Sequence, residues 1–159
     1  PNLLRECAGT ARGIADEHRV SLEVEVCDEL RSLNCDAPRL KQAIINLVVN
    51  AVQASPEGEK VLIRGYIGDG NPVFEIIDCG CGVSLQHRQN IFEPFFTTRK
   101  EGTGLGLPIV KKIIDAHNGR IDVENNSPGG TTFRVTLFCE DLPDCCTSEP
   151  MPILRQALG

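Results

Sequence analysis

Apolar residues recur along this chain with two different periods, and each change of period marks a new structural element. A recurrence every three to four positions, typical of an amphipathic helix, is found in residues 2–17, 36–55 and 107–117. Alternation with polar residues, typical of a half-buried strand, is found in residues 20–26, 61–67, 73–78, 120–124 and 132–138. The pattern predicts one domain that combines three helices with five strands.

Length and composition suit a single soluble domain and exclude several other classes. The chain has 159 residues, 41% of them hydrophobic, and no apolar run reaches the roughly 20 residues that cross a bilayer. A formal net charge of −6 argues against a nucleic-acid partner, although a local group of cations could still bind a nucleotide. Eight cysteines without paired C-x-x-C spacing fit reduced thiols in a cytoplasmic protein better than a disulfide framework or a zinc site. A redox or metal role for Cys79 and Cys81 is the less favoured alternative.

A glycine-rich segment, residues 79–106, joins the third strand to the last helix and shows little regular pattern. Only residues 86–91 have the composition of a short helical turn. Stretches of more than about 15 residues without regular structure are unusual in compact domains and often form lids or binding loops. The segment contains Phe92, Phe95 and Phe96, half of the six phenylalanines of the chain. They would form either a small satellite core under the loop or an apolar hinge that docks a lid.

The second predicted helix carries a polar stripe beside its apolar one. Gln42, Asn46 and Asn50 recur every four residues and therefore share one face. Asparagine forms helices poorly, so its repetition at this spacing calls for a reason. A solvated helix edge is the structural explanation. The functional one is that an asparagine carbonyl oxygen binds Mg²⁺, which prefers hard oxygen ligands.

Asp78 ends the third strand and is followed by glycines at positions 80 and 82. Small residues let the backbone approach a flat ligand, and a carboxylate there can accept a hydrogen bond from an exocyclic amine such as that of adenine. Taken alone, an Asp-x-Gly-x-Gly sequence more often forms a tight turn.

Residues 102–107, with the sequence GTGLGL, run directly into the last helix. A glycine-rich loop that opens a helix presents backbone N–H groups and the positive end of the helix dipole, which suits phosphate. It is not a Walker A loop, since no Gly-Lys-Ser/Thr follows, and not a dinucleotide-binding loop, since no strand leads into it. Arg99 and Lys100, just upstream, are candidate phosphate ligands or simply solvated loop residues.

In this order, the motifs resemble the boxes of the GHKL ATP-binding superfamily. Asn50 within NLVVNA is similar to the N box, residues 78–82 to the G1 box, residues 91–96 to the F box and residues 102–107 to the G2 box. Residues 129–133 resemble its final Gly-Thr element. The F box is the mark of the histidine kinases in this superfamily, and residues 97–107 are similar to the nitrogen-sensor-like and hydrogenase-sensor-like groups. The chain therefore resembles the catalytic and ATP-binding domain of a sensor histidine kinase.

Asn46 separates branches of this superfamily. The resemblance to the superfamily implies a contrast with its gyrase-type, mismatch-repair and chaperone ATPases, in which a Glu at this position activates water for hydrolysis. An amide has no such basicity, so the resemblance favours phosphoryl transfer to a histidine, which has its own lone pair. Two alternatives stay open: another ATPase or serine kinase of the superfamily, and a non-catalytic nucleotide-sensing module.

The resemblance implies a Bergerat ATP-binding fold, an α/β two-layer sandwich of three main helices on one mixed β-sheet with a long ATP lid. It implies that ATP is the substrate, that Asn50 binds Mg²⁺ and that Asn46, Asn50 and Arg99 are catalytic. Asp78 would bind the adenine amine, Thr131 would assist through water, and Gly80 and Gly82 would give the base room. The implied nucleotide-binding residues are Asn46, Asn50, Ala54, Asp78, Gly80, Gly82, Val83, Thr98, Arg99, Lys100, Gly102, Thr103, Gly104, Leu105, Gly106, Leu107 and Thr131.

The resemblance also implies domain limits and partners. None of the three histidines has the sequence context of the phosphoacceptor helix. Residues 1–18 are expected to end a linker from an absent dimerisation and phosphoacceptor domain, residues 19–139 to form the catalytic domain and residues 140–159 a C-terminal tail. The implied partners are that dimerisation domain and the receiver domain of a response regulator, with no nucleic acid. The chain alone is expected to be a monomer that cannot phosphorylate itself. The full-length protein is expected to be a cytoplasmic homodimer, with any membrane anchor outside this sequence.

Overall fold

The computed structural model describes residues 2–30, 35–98 and 102–138. The predicted helices and strands are present in the predicted order. They are α1 (Asn2–Glu17), β1 (Ser21–Val26), α2 (Ala37–Ala54), β2 (Lys60–Gly68), β3 (Asn71–Ile77), α3 (Gly106–Ala116), β4 (Gly119–Asn125) and β5 (Thr131–Leu137). Residues 86–91 form hydrogen-bonded turns, in which the Ile91 amide donates to the His87 carbonyl oxygen at 3.0 Å.

The five strands form one mixed sheet in the order β1-β2-β3-β5-β4. β1 and β2 are parallel, and the other neighbouring pairs are antiparallel. Helix α2 contacts both α1 and α3, and the core lies between this helix layer and the sheet. The arrangement confirms the predicted two-layer sandwich of three helices on one mixed sheet. In the part of the chain that the structure describes, no helix has the length and apolar character needed to span a bilayer.

Helix α2 supplies much of the core and carries the polar stripe. It begins after Asp36, whose carboxylate accepts a hydrogen bond from the Arg39 amide at 3.2 Å. Its predicted apolar stripe is buried and comprises Leu40, Ile44, Leu47, Val48 and Ala51. Burying one leucine or isoleucine side chain contributes about 1.5–3 kcal/mol, so this stripe determines which side of the helix faces inward. Asn46 and Asn50 consequently lie half-buried at the edge of the core.

The open face of the sheet carries a row of alternating charges, one residue per strand. The residues that stand opposite one another across β1, β2, β3, β5 and β4 are Glu25, Arg64, Glu75, Arg134 and Asp122. The central Glu75 side chain is only 7% exposed, and its carboxylate lies 2.8 Å from Arg134 Nε and 3.7 Å from Arg64 Nη1. Its Oε1 also accepts a hydrogen bond from the Tyr66 hydroxyl at 3.1 Å. A charge buried to this extent is tolerated when it is paired and hydrogen-bonded in this way.

Tyr66 reports on this network, because it is the only tyrosine in a chain without tryptophan. Burial and the neighbouring Glu75 carboxylate raise the pKa of the Tyr66 phenol above its ordinary value of 10.0. We expect ultraviolet titration to give a higher pKa for the native chain than for the chain in urea. Because the native state then holds the proton more tightly, the free energy of unfolding should decline as the pH rises above about 10. Glu75→Gln removes the charge and should bring the native pKa of Tyr66 closer to its ordinary value.

Glu57 provides the control, because its ion pair with Arg19 is exposed. The Glu57 side chain is 70% exposed and the Arg19 side chain 76%. Glu75→Gln should lower the free energy of unfolding by about 1–3 kcal/mol in urea titrations. Glu57→Gln should leave the urea midpoint and the Tyr66 pKa unchanged. An unaltered Tyr66 pKa in Glu75→Gln would contradict the proposed coupling.

Candidate functional site

A cleft of about 620 Å³ opens between α2, the end of β3 and the segment that precedes α3. Most of the predicted site residues meet there, although they come from segments far apart in the sequence. Those that line the cleft are Asn46, Asn50, Ala54, Asp78, Gly82, Val83, Thr98, Gly102, Thr103, Gly104, Gly106, Leu107 and Thr131. The structure thus brings Asn46 and Asn50 of the polar stripe of α2, the carboxylate after β3 and the glycine-rich loop to one cavity.

Four predicted site residues are not among these lining residues. Arg99 and Lys100 lie outside the described residues. Leu105 immediately precedes α3 and is 38% exposed. Gly80 lies against the end of α2, where an added Cβ would come within 2.6 Å of the Ala54 carbonyl oxygen. Gly80 therefore allows the loop after β3 to lie against the end of α2, a contact that the sequence did not indicate.

Asp78 is 2% exposed, and its carboxylate is held by the backbone. Its Oδ1 accepts hydrogen bonds from the amides of Gly80 at 2.8 Å and Thr131 at 2.9 Å. The Asp78 amide in turn donates to the Thr131 carbonyl oxygen at 2.9 Å. Hydrogen bonds to a carboxylate are stronger than neutral ones and offset the cost of burying the charge. The side chain is consequently oriented before any ligand binds.

The C-terminal end of α2 is hydrogen-bonded to the loop that follows β3. Ser55 Oγ donates to the Ala51 carbonyl oxygen at 2.9 Å and accepts a hydrogen bond from the Cys79 amide at 3.4 Å. Asn50 lies about one turn before this end of the helix, and Asp78 directly precedes Cys79. The hydroxyl therefore links the end of α2 to the residue that follows Asp78.

The loop before α3 closes back on the phenylalanine segment. The Gly104 carbonyl oxygen accepts a hydrogen bond from the Phe95 amide at 2.9 Å. Gly104 has a φ of 67°, and a Cβ there would lie 2.5 Å from the Phe95 carbonyl carbon. Both the backbone angle and the contact require glycine.

The start of α3 differs from the start of α2. Leu105 occupies the N-cap position, and no side chain among the described residues caps the helix. The first backbone N–H groups of a helix have no partner within the helix and are satisfied by a cap, by water or by a ligand. Gly106 and Leu107 carry such groups at the lining of the cleft. This end of the cleft therefore suits an anion.

The three phenylalanines of the loop have different environments. Phe92 and Phe96 pack against the core, and Phe96 also lines the cleft. The Phe96 ring meets the His87 ring edge-on, with 5.4 Å between the centroids. Phe95 is 76% exposed and has a φ of 67°. Two of the three phenylalanines are therefore attached to the main core, and the third is exposed to solvent.

Sequence reasoning missed several residues of the lining. They are Val49, Gln53, Cys81, Ser84, His87, Ile91, Phe96, Thr97, Pro108 and Phe133. Val49 and Gln53 continue the helix face of Asn46 and Asn50, so helical periodicity could have found them. Phe133 ends the Gly-Thr element of residues 129–133, and that resemblance could have found it. No group of three potential metal ligands of the His, Cys, Asp or Glu type occurs within residues 2–30, 35–98 and 102–138.

Residues 35–141 match the family described as histidine kinase-, DNA gyrase B-, and HSP90-like ATPases. The chain belongs to this ATPase family. Its three helices on a five-stranded mixed sheet are the Bergerat-type fold that the resemblance implied.

Two curated relatives place this ATPase domain among the histidine kinases. The signal transduction histidine-protein kinase AtoS of Escherichia coli is 41% identical over 120 residues, which cover 75% of this chain and 20% of that protein. Sporulation kinase E of Bacillus subtilis is 32% identical over 136 residues, which cover 85% of this chain and 18% of that protein. The chain therefore spans about a fifth of the length of these relatives.

Solved structures agree with this placement. The catalytic domain of histidine kinase ThkA, in a nucleotide-free form, is 33% identical with a TM-score of 0.78, over 86% of this chain and 90% of that one. Full-length ShkA, in complex with AMPPNP, is 31% identical with a TM-score of 0.76, over 86% of this chain and 29% of that one. The ATPase domain described here is of the histidine kinase catalytic type, and family membership supports ATP as its ligand.

Gly104→Ala should weaken ATP binding by about tenfold or more, because the new Cβ collides with Phe95 and the φ of 67° disfavours a side chain. Titration calorimetry with ATP checks this. Gly70→Ala is the matched control: its φ is 75°, and an added Cβ would meet nothing within 4 Å. The control shares the backbone strain without the collision and should bind ATP like the wild type. Wild-type affinity in Gly104→Ala would contradict the role given to this contact.

Proposed function

We propose that this chain binds ATP together with Mg²⁺ in the cleft and transfers the γ-phosphoryl group to a histidine of a separate dimerisation domain. The phosphoryl group would then pass to a response regulator of a two-component system. Residues 19–139 would be the catalytic domain, residues 1–18 the end of a linker and residues 140–159 a tail. The observation that carries the proposal is the single cleft shared by the Asp78 carboxylate, the Asn50 amide and the glycine-rich start of α3.

At one end of the cleft, the buried Asp78 supports recognition of adenine. A carboxylate can accept a hydrogen bond from the exocyclic amine of adenine, whereas guanine has no amine at that position. Since two backbone amides hold Oδ1, the carboxylate needs no rearrangement when a base binds. Ala54 and Val83 offer apolar surface beside it, and Thr131 lines the same cleft.

At the other end, the residues fit a metal-phosphate complex. Asn46 and Asn50 present half-buried amides on one face of α2, and an amide oxygen is a ligand that Mg²⁺ accepts along with waters and phosphate oxygens. A Cβ added at Gly106 would lie 3.7 Å from Asn50 Nδ2, so the start of α3 approaches this amide closely. The ion would neutralise phosphate charge in the complex. Asn50 would hold it, with Asn46 close by.

The loop before α3 would complete the phosphate end. The backbone N–H groups of residues 104–106 would bind phosphate oxygens, as at other helix starts. Thr98, Gly102, Thr103 and Leu107 line the same region of the cleft. Arg99 and Lys100 follow Thr98 directly and would add positive charge, with Arg99 at the γ-phosphate.

The chemistry of the lining favours transfer over hydrolysis. Among the lining residues that the structure describes, Asp78 is the only carboxylate, and its Oδ1 is engaged by two backbone amides. Asn46 is a neutral amide with no useful basicity, so a water molecule near α2 would lack a carboxylate base. A histidine nucleophile brings its own lone pair and requires only positioning.

An exposed apolar patch supports docking of the domain that carries the histidine. Phe95, Leu105 and Ile109 are 76%, 38% and 38% exposed. The Phe95 amide bonds to the carbonyl oxygen of Gly104, next to Leu105, and the Ile109 amide bonds to that of Leu105. These backbone bonds place the three residues near one another, and exposed apolar patches often mark interfaces. In this proposal the full-length kinase is a cytoplasmic homodimer, and the isolated chain is a monomer without a nucleic-acid partner.

Two substitutions test the two ends of the cleft separately by calorimetry with ATP. Asp78→Asn keeps one oxygen for the amides of Gly80 and Thr131 but replaces the other by an NH₂ donor. ATP affinity should fall by about tenfold or more, because a donor would face the adenine amine. Asn50→Ala should reduce the gain in affinity that Mg²⁺ gives and leave the metal-free affinity near that of the wild type.

Gln42→Ala is the control for Asn50→Ala, because Gln42 belongs to the same polar stripe but is exposed and does not line the cleft. It should bind ATP like the wild type. Unchanged ATP affinity in both Asp78→Asn and Asn50→Ala would refute the site.

The chain should also phosphorylate a separately supplied cognate dimerisation domain when given γ-labelled ATP and Mg²⁺. The label should be acid-labile, as phosphohistidine is, and Asn50→Ala should abolish its transfer. Failure with every cognate domain would favour a non-catalytic nucleotide sensor. Slow ATP hydrolysis that Asn46→Ala abolishes would favour a hydrolysing ATPase instead.

A further inference from the structure

Asn125, the last residue of β4, bonds twice to the backbone of Val83, a residue 42 positions earlier in the chain. Its Oδ1 accepts a hydrogen bond from the Val83 amide at 2.9 Å. Its Nδ2 donates to the Val83 carbonyl oxygen at 3.0 Å. The side chain thus pairs with Val83 as the backbone of a neighbouring strand would.

We propose that Asn125 is a positioning residue, which holds the wall of the cleft formed by Gly82 and Val83 and thereby sets the affinity for the purine base. Both wall residues line the cleft, whereas Asn125 does not. The inference rests on the proposed function, in which ATP occupies this cleft with its base beside Asp78.

The absence of a side chain at Gly82 permits the contact between Asn125 and Val83. It has a φ of 78°, and an added Cβ would lie 3.1 Å from the amide atoms of Asn125. A side chain at position 82 would therefore be in tight contact with Asn125, a protein contact that the sequence did not indicate for this glycine. Glycine and asparagine together let the loop lie close to the end of β4.

The neighbouring Asn126 holds the other end of the same loop. Its Nδ2 donates to the Asp78 carbonyl oxygen at 3.4 Å, and its Oδ1 accepts a hydrogen bond from Thr132 Oγ1 at 2.7 Å. Residues 79–82 between the two contacts are Cys, Gly, Cys and Gly, whose short side chains offer little packing of their own. The position of the loop depends correspondingly on bonds from outside it.

A primary amide is the group that this double contact requires, because it offers a donor and an acceptor in one plane. Asn125→Ala removes both bonds. Asn125→Asp keeps nearly the same shape and an acceptor for the Val83 amide, but it places its second oxygen against the Val83 carbonyl oxygen. The two variants therefore separate the hydrogen bonds from the space that the side chain fills.

The test compares the 159-residue wild-type chain with Asn125→Ala, Asn125→Asp and the control Asn71→Ala. Asn71 also bonds to backbone, from its Nδ2 to the Asp69 carbonyl oxygen at 3.1 Å, but it lies at the opposite end of β3 from Asp78. Three quantities are measured: hydrogen exchange of the Val83 amide without nucleotide, the affinities for ATP and GTP with Mg²⁺, and the thermal midpoint.

In Asn125→Ala we expect about tenfold faster exchange at Val83, about tenfold weaker ATP binding and a smaller preference for ATP over GTP. Asn125→Asp should also bind ATP more weakly, since it lacks the bond to the Val83 carbonyl oxygen. Asn71→Ala should match the wild type in all three measurements. A residue with a merely structural role would lower the thermal midpoint and leave the ATP preference unchanged.

Two further outcomes overturn the proposal and can be told apart. If the wild type binds ATP and Asn125→Ala binds it equally well, this inference fails alone, whatever the exchange at Val83. If the wild-type chain binds no ATP, the proposed function fails and this inference with it.

Discussion

A buried carboxylate at the end of β3 imposes the strictest requirement on the structure. Asp78 is 2% exposed, so its charge must be met by hydrogen bonds within the protein. The donors are the amides of Gly80, in the loop after β3, and of Thr131, at the start of β5. One side chain therefore joins two walls of the cleft. Position 130 must also be glycine. It has a φ of 107°, and an added Cβ would collide with the Asp78 carbonyl oxygen.

Two buried acidic side chains, one in β3 and one directly after it, have different hydrogen-bond partners. Glu75 points to the open face of the sheet, where Arg134 and Arg64 neutralise it and Tyr66 donates a hydrogen bond. The ion pairs and hydrogen bond of Glu75 link β2, β3 and β5 to one another. Asp78, three residues later, accepts hydrogen bonds from the backbone amides of Gly80 and Thr131, which orient the carboxylate. The first arrangement stabilises the sheet, whereas the second suits a group that must recognise a ligand.

Much of the fold could be predicted because it follows from local periodicity. The spacing of Leu40, Ile44 and Leu47 gives the buried face of α2 without any knowledge of the sheet. Alternation likewise finds the strands, but it does not give their order. The pairing of β3 with β5 joins Glu75 and Arg134, 59 positions apart, and no local pattern encodes it.

The candidate site could be predicted in part, for a related reason. The ordered motifs indicate Asn50, Asp78 and the glycine-rich loop, and these residues line one cleft. What the sequence does not reveal is the atom that occupies the space beside each glycine. At Gly80 it is a backbone oxygen of α2, and at Gly82 it is the Asn125 side chain of β4. Those neighbours come from other elements, so the motif alone does not reveal which protein contacts these glycines allow.

The N-termini of α2 and α3 differ in whether a side chain caps the helix. At α2 the protein supplies its own acceptor, the Asp36 carboxylate on the Arg39 amide, and the helix is complete without a ligand. At α3 the N-cap position holds Leu105, which has no side-chain acceptor, and the preceding loop is rich in glycine. A helix that only had to be stable would gain about 1 kcal/mol from a Ser, Thr, Asp or Asn there. Such a side chain would compete with an anion for the same N–H groups. No side chain within residues 2–30, 35–98 and 102–138 caps this helix start, so its first N–H groups at the cleft stay available to the phosphate of the proposed ligand.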